Sequence, residues 1–184
     1  MAEISAKSVM ELRKSTGLGM MDCKQALKET DGDIEKAVEY LRKKGMAAVE
    51  KRAGREATDG LIVSYIHPGS RLGVLVEVNC ETDFVARTED FQQFARDVSM
   101  HIAASQPLAV KREDIETELL EKERAIYSEQ AKNEGKPENI AEKIVQGRIE
   151  KFYQENCLME QNFVKNPDQT IEQMITELTA KIGE

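Results

Sequence analysis

Apolar residues recur at helical spacing over the first 45 residues and divide them into three segments. Val9 and Leu12 stand at i, i+3, and Gly17 stops the run. Met20, Cys23 and Leu27 give a second face at i, i+3, i+7. Ile34, Ala37, Val38 and Leu41 form a third stripe at i, i+3, i+4, i+7, which a 3.6-residue turn gathers on one side. Asp31 or Asp33 suits the N-terminus of this third helix and Gly45 its end. The pattern predicts a three-helix module over residues 1–46. Its core is marginal alone, so the module is expected to rest on the rest of the chain. The charged, glycine-punctuated stretch "KRAGREATDG" then predicts a linker, over 47–58.

The period next changes from helix to strand. "LIVSYI" (61–66) and "RLGVLVEV" (71–78) flank Pro68 and Gly69, and Leu72, Val74, Val76 and Val78 alternate onto one face, so a β-hairpin is predicted. The remainder reads as helices. Thr88 can cap one with Phe91, Phe94, Ala95, Val98 and Ile102 on its face, ended by Gln106 and Pro107. A charged helix is expected from Arg112 to Asn133, with Ile115, Leu119 and Ile126 inward and Gly135 closing it. Pro137 suits the first turn of the next helix, which runs through Ile140, Ile144 and Phe152. Thr170 to Gln173 is a capping-box pattern, opening the stripe Ile171, Met174, Ile175, Leu178, Ile182. The fold class expected is α+β: a helical module, then a core (59–184) with a small antiparallel sheet packed by helices. A two-stranded sheet is marginal without a further strand or a covering helix.

Composition narrows the function. Of 184 residues, 33% are charged and 5% aromatic, with no Trp, and no apolar run is long enough for a membrane span. The N-terminus is amphipathic, without the apolar core of a signal peptide, and reads as mature and cytosolic. Residues 1–58 carry 12 Lys and Arg against 10 Asp and Glu; the rest carries 14 against 24. An acidic body argues against non-specific nucleic-acid binding. The basic run Lys43, Lys44, Lys51, Arg52, Arg55 is either a solvated helix and linker or a surface for an acidic partner. Cys23, Cys80 and Cys157 have no metal-ligand spacing and read as reduced thiols. No phosphate-cradling loop is visible, because Pro137 follows Gly135-Lys136 where Ser or Thr is needed. His67 and His101 are the only histidines, and a nucleophilic pair with Cys80 is a remote reading. No catalytic residues, cofactor or metal are expected; the chain reads as a binding protein rather than an enzyme.

Two motifs remain. In "TGLGMMDCKQAL" two glycines and two methionines precede a helix. Met is flexible and polarizable, suited to a docking surface or to filling a gap between helices. In "EVNCETDFVARTEDFQQF" a strand runs into Phe84, placed in a loop before the helix that Thr88 opens, where it either folds inward or projects.

The stretch "ELRKSTGLGMMDCKQALKETDGDIEKAVEYLRKKG" resembles the N-terminal module of the translation elongation factor Ts family. "VEVNCETDFVAR" resembles its Thr-Asp-Phe-Val signature, and "MHIAASQP", "EGKPENIAEKIVQGRIEKF" and "LMEQNFVKNPDQTIEQM" its later blocks, in order along nearly the whole chain. The resemblance implies a ubiquitin-associated-like three-helix module, an α+β core, and guanine-nucleotide exchange on the G domain of elongation factor Tu. It implies partner contact through Thr82, Asp83, Phe84 and Val85, the Phe wedging between helices and disturbing the Mg²⁺ and phosphate site. It implies a second contact through Arg13, Met20 and Met21, and no direct nucleotide binding by the chain itself. Burying a Phe is worth roughly 1.5–3 kcal/mol. Gained only in the nucleotide-loose state, this shifts the partner's equilibrium roughly 10- to 150-fold.

The chain resembles the short form of the family, with one hairpin and one core, which implies a homodimer through exposed sheet surface. Family members usually continue past the last helix into an Arg- and Phe-containing strand; this sequence ends at Lys181-Ile182-Gly183-Glu184, either because the gene lacks that strand or because the chain was cut, and only a missing strand would unsettle the sheet and the dimer. Two rivals are an adaptor that binds ubiquitin-like partners without exchange activity, and a thiol enzyme using Cys80.

Overall fold

A computed structural model describes residues 4–52, 54–135 and 137–183 of the chain. Lys136, weighed above in the phosphate-loop comparison, and the terminal Glu184 lie outside the described residues, as do residues 1–3 and 53. Two compact units form. The first gathers Met1–Val63, Val76–Ala95 and Gln173–Glu184; the second gathers Ser64–Leu75 and Arg96–Glu172.

The first unit begins with the three-helix bundle: α1 (Ala6–Thr16), α2 (Met20–Glu29) and α3 (Ile34–Arg52). Ser5 caps α1 by accepting the Ser8 N–H, and Gly17 ends it at φ 70°, a left-handed position that favours glycine. Of the two acidic candidates, Asp33 caps α3, accepting the Lys36 N–H at 3.0 Å. Val9, Leu12, Cys23, Ala26, Leu27, Ala37 and Leu41 form the bundle core. Met20 and Val38, expected on the apolar stripes, are exposed instead. The expected stop at Gly45 is also overturned: α3 continues to Arg52, six residues into the stretch 47–58 read as linker. A Cβ at Gly45 would stand 2.7 Å from the Cβ of Ala180 on α8 (Ile171–Ile182), so this glycine lets two helices cross closely.

Strands β1 (Asp59–Ile66) and β2 (Gly73–Cys80) make the expected hairpin, closed where the His67 N–H donates to Leu72 O at 2.9 Å. Leu61, Val63, Val74, Val76 and Val78 are half-buried, and Ile62, Ile66 and Leu75 are exposed. Leu72 belongs to the turn, not to the strand face. After β2 come α4 (Asp83–Ala86) and α5 (Glu89–Ser105), the latter opened by Thr88, whose Oγ1 accepts the Phe91 N–H. Cys80, Val85, Ala86 and Phe91 form a second apolar cluster, with Leu61 and Val78 of the hairpin and Leu178 and Ile182 of α8 packed on it. Helix α8 and α5 thus cover the base of the hairpin, the α+β arrangement expected.

The second unit holds α6 (Thr117–Asn133) and α7 (Glu138–Asn156). Residues 112–114 form a separate 3-10 turn, so α6 starts five residues later than expected. Ile126 is exposed and Ala131 is buried in its place; Pro137 is the N-cap of α7 rather than a first-turn residue. Ile115, Phe152 and Cys157 anchor the apolar cluster here. A second antiparallel pair, β3 (Asn162–Phe163) and β4 (Asn166–Thr170), was not expected. The β4 sequence NPDQT has no apolar alternation for a strand pattern to register.

Candidate functional site

The stretch after β2 is a one-turn helix where a loop was expected. Thr82 is extended (φ −138°, ψ 153°) and opens the turn; the Ala86 N–H donates to Thr82 O and the Arg87 N–H to Asp83 O. Successive helical side chains point about 100° apart. Val85 and Ala86 are buried in the Cys80 cluster, so Asp83 and Phe84 are turned outward. Phe84 is 76% exposed, whereas the other four phenylalanines, Phe91, Phe94, Phe152 and Phe163, are buried. Asp83 pairs with Arg87 at 2.7 Å across one turn, and the Cys80 thiol donates to Thr82 O at 3.1 Å. The structure therefore brings Thr82, Asp83, Phe84 and Val85 together, with Val85 as anchor and Phe84 as projecting tip.

Glu81, the residue before this turn, is held by two guanidinium groups. Arg52, the last residue of α3, reaches Oε1 and Arg55 reaches Oε2, both at 3.1 Å. The Arg55 hydrogen bond foremost, with Arg52 beside it, holds the Glu81 carboxyl below the usual carboxylate range. Sequence reasoning missed this residue, because a contact 26 to 29 positions apart leaves no periodic signal. The basic run is used internally elsewhere too: Lys43 pairs with Glu39 at 2.8 Å, and Lys44 with Asp22 at 2.9 Å. Next to the Glu81 contacts lies an apolar cavity of about 280 Å³, lined among others by Val78, Cys80, Phe91, Leu178 and Ile182.

The second candidate surface is a shallow groove of about 870 Å³ on the bundle, lined by Lys7, Met10, Glu11, Arg13, Lys14 and Met20. Met10 and Met20 are both exposed, as is Met21, which does not line the groove. The structure thus joins Arg13 to Met20 and adds Met10. The spacing 7, 10, 11, 14 is a helical face and could have revealed it.

Cys80 and the two histidines of the thiol reading each have a hydrogen-bond partner. Cys80 is buried and donates to a carbonyl; His67 Nδ1 bonds Tyr65 Oη at 3.1 Å; His101 Nε2 bonds Gln161 Oε1 at 3.0 Å. Among the described residues no group of three or more His, Cys, Asp or Glu could hold a metal ion, and no helix is long and apolar enough to cross a membrane. The site can present an aromatic ring and a carboxylate from a fixed turn, which is recognition chemistry.

A family model described as elongation factor Ts matches residues 6–184. The elongation factor Ts of Geobacter sulfurreducens is 61% identical over 181 residues, covering 98% of this chain and 84% of that relative. That of Desulforamulus reducens is 60% identical over 184 residues (100% and 85%), and that of Carboxydothermus hydrogenoformans 60% over 181 (98% and 83%).

Proposed function

The chain belongs to the elongation factor Ts family, and from that premise we propose that it binds elongation factor Tu carrying GDP and promotes GDP release during translation elongation. Phe84 is the wedge. Its ring enters the partner's G domain and disturbs the site holding Mg²⁺ and the nucleotide phosphates. Asp83 directs the ring, Thr82 opens the turn, and Val85 ties it to the core. The observation that carries this reading is the exposure of Phe84 on a turn whose next two residues are buried. Free energy falls when a partner covers a solvent-facing Phe, and full burial is worth roughly 1.5–3 kcal/mol. Coupling is reciprocal: if docking loosens nucleotide, nucleotide loosens docking, which lets the factor leave after exchange. No covalent bond changes, so no catalytic group or cofactor is required.

The bundle supplies the second grip, through Arg13, Met20 and Met21. We assign residues 1–46 to this module, 47–58 to a connector whose first part is helical, and 59–184 to the core, and place the protein in the cytoplasm as a homodimer. The test is release of a fluorescent GDP analogue from elongation factor Tu. Phe84→Ala is expected to lose at least tenfold of the stimulation, the low end of the burial energy. Because the side chain is exposed, folding is expected to be intact. Equal acceleration by variant and wild type overturns the wedge.

A further inference from the structure

Two surfaces of the first unit face solvent for a partner, the Phe84 tip and the Met10–Met20 groove. One partner can meet both only if their separation and direction are set in advance, since ordering them on binding would weaken the complex. Helix α3 links them. Its first half lies in the bundle through Ala37 and Leu41, it crosses α8 at Gly45, and it ends at Arg52. There the chain returns to the tip through Glu81, which stands between Cys80, the last residue of β2, and Thr82, the cap of α4.

We propose that Glu81, gripped by Arg52 and Arg55, is a positioning residue for nucleotide exchange: it locks the Phe84 turn to the end of α3 and so fixes the tip against the bundle. The inference rests on the exchange reading above. Three observations carry it. The two arginines take different carboxylate oxygens, both at 3.1 Å, so the carboxylate is fixed in rotation as well as in place. The Glu81 side chain is only 24% exposed, and Arg52 31%. The contact joins two segments far apart in sequence at the residue next to the turn. Partly exposed ion pairs contribute little to folding stability, so loss of this one should show in function before it shows in stability.

Nucleotide release from elongation factor Tu, titrated with the factor, separates the maximal rate from the half-saturating concentration. For Glu81→Gln the maximal stimulated rate is expected to fall about tenfold, comparable to the loss expected when the Phe84 ring itself is removed. The half-saturating concentration should rise less than the maximal rate falls, because the groove still docks, and the melting temperature should stay near wild type. Arg55→Gln, on an exposed side chain that cannot unfold the chain, should show the same loss in milder form. Glu81→Arg combined with Arg52→Glu and Arg55→Glu should recover the rate. Wild-type rates in both single variants, with Phe84→Ala impaired, overturn the positioning role and leave the wedge standing. A silent Phe84→Ala overturns both.

Discussion

His101 shows what a single buried group does to this fold. It is fully buried, its Nδ1 accepts the Val164 N–H at 3.3 Å, and its Nε2–H donates to Gln161 Oε1. The Gln161 amide nitrogen donates in turn to Glu155 O at 2.6 Å, which leaves its oxygen free to accept. This chain of bonds fits only the neutral ring. Burial pushes its pKa below the ordinary value, against the Gln161 bond, which pulls upward. The sign follows. The unfolded chain takes up the proton near pH 6.5 and the folded one only lower, so the stability is full above about 6.5 and drains away as pH falls through that window. Thermal melts at pH 7.5 and 5.5 should show a drop that His101→Gln flattens, while lowering stability at neutral pH. An identical pH slope in the variant would assign the drop to other groups. Phe84 is the contrasting residue: its place outside a core pattern was legible in sequence, but whether it projected or folded inward was decided by Val85 and Ala86, its buried neighbours.

At the scale of elements, Gly45 illustrates a rule that reads correctly on most helices and fails here. Glycine near the end of an apolar stripe signals a stop, yet α3 runs on because α8 packs against that position. In an exposed helix Gly→Ala gains about 1 kcal/mol. Here the added methyl meets the Ala180 methyl at 2.7 Å, and overpacking of this kind costs about 1–3 kcal/mol. Gly45→Ala is therefore expected to lower the urea midpoint, and Ala180→Gly in the same chain to restore part of the loss. A variant as stable as wild type would mean the helices can move apart freely. The bundle helices, the first hairpin and α8 were legible because their apolar positions repeat. The β3–β4 pair was not, because a two-residue strand opposite NPDQT is held by backbone bonds that carry no side-chain signature.

At the scale of the whole molecule, the proposal is a homodimer. Ile66 and Leu75 of the first hairpin stand in solvent, and a second copy is the occupant proposed for them. Sedimentation at micromolar concentration should give twice the 20.7 kDa chain mass, and Leu75→Glu should halve it. A wild-type monomer under conditions where exchange is measured overturns the dimer without touching the wedge.

By itself the sequence determined the bundle helices, the first hairpin, α8 and most of the bundle core, since apolar spacing reports which side of a helix or strand must leave water. Its Thr-Asp-Phe-Val segment also pointed to the candidate contact residues. Only the tertiary structure decided which of the exposed-looking residues project, that α3 extends to Arg52, and that Glu81 binds two arginines. Those outcomes depend on contacts between segments distant along the chain, where charge and volume are matched in space and nothing in the local order of residues records the match.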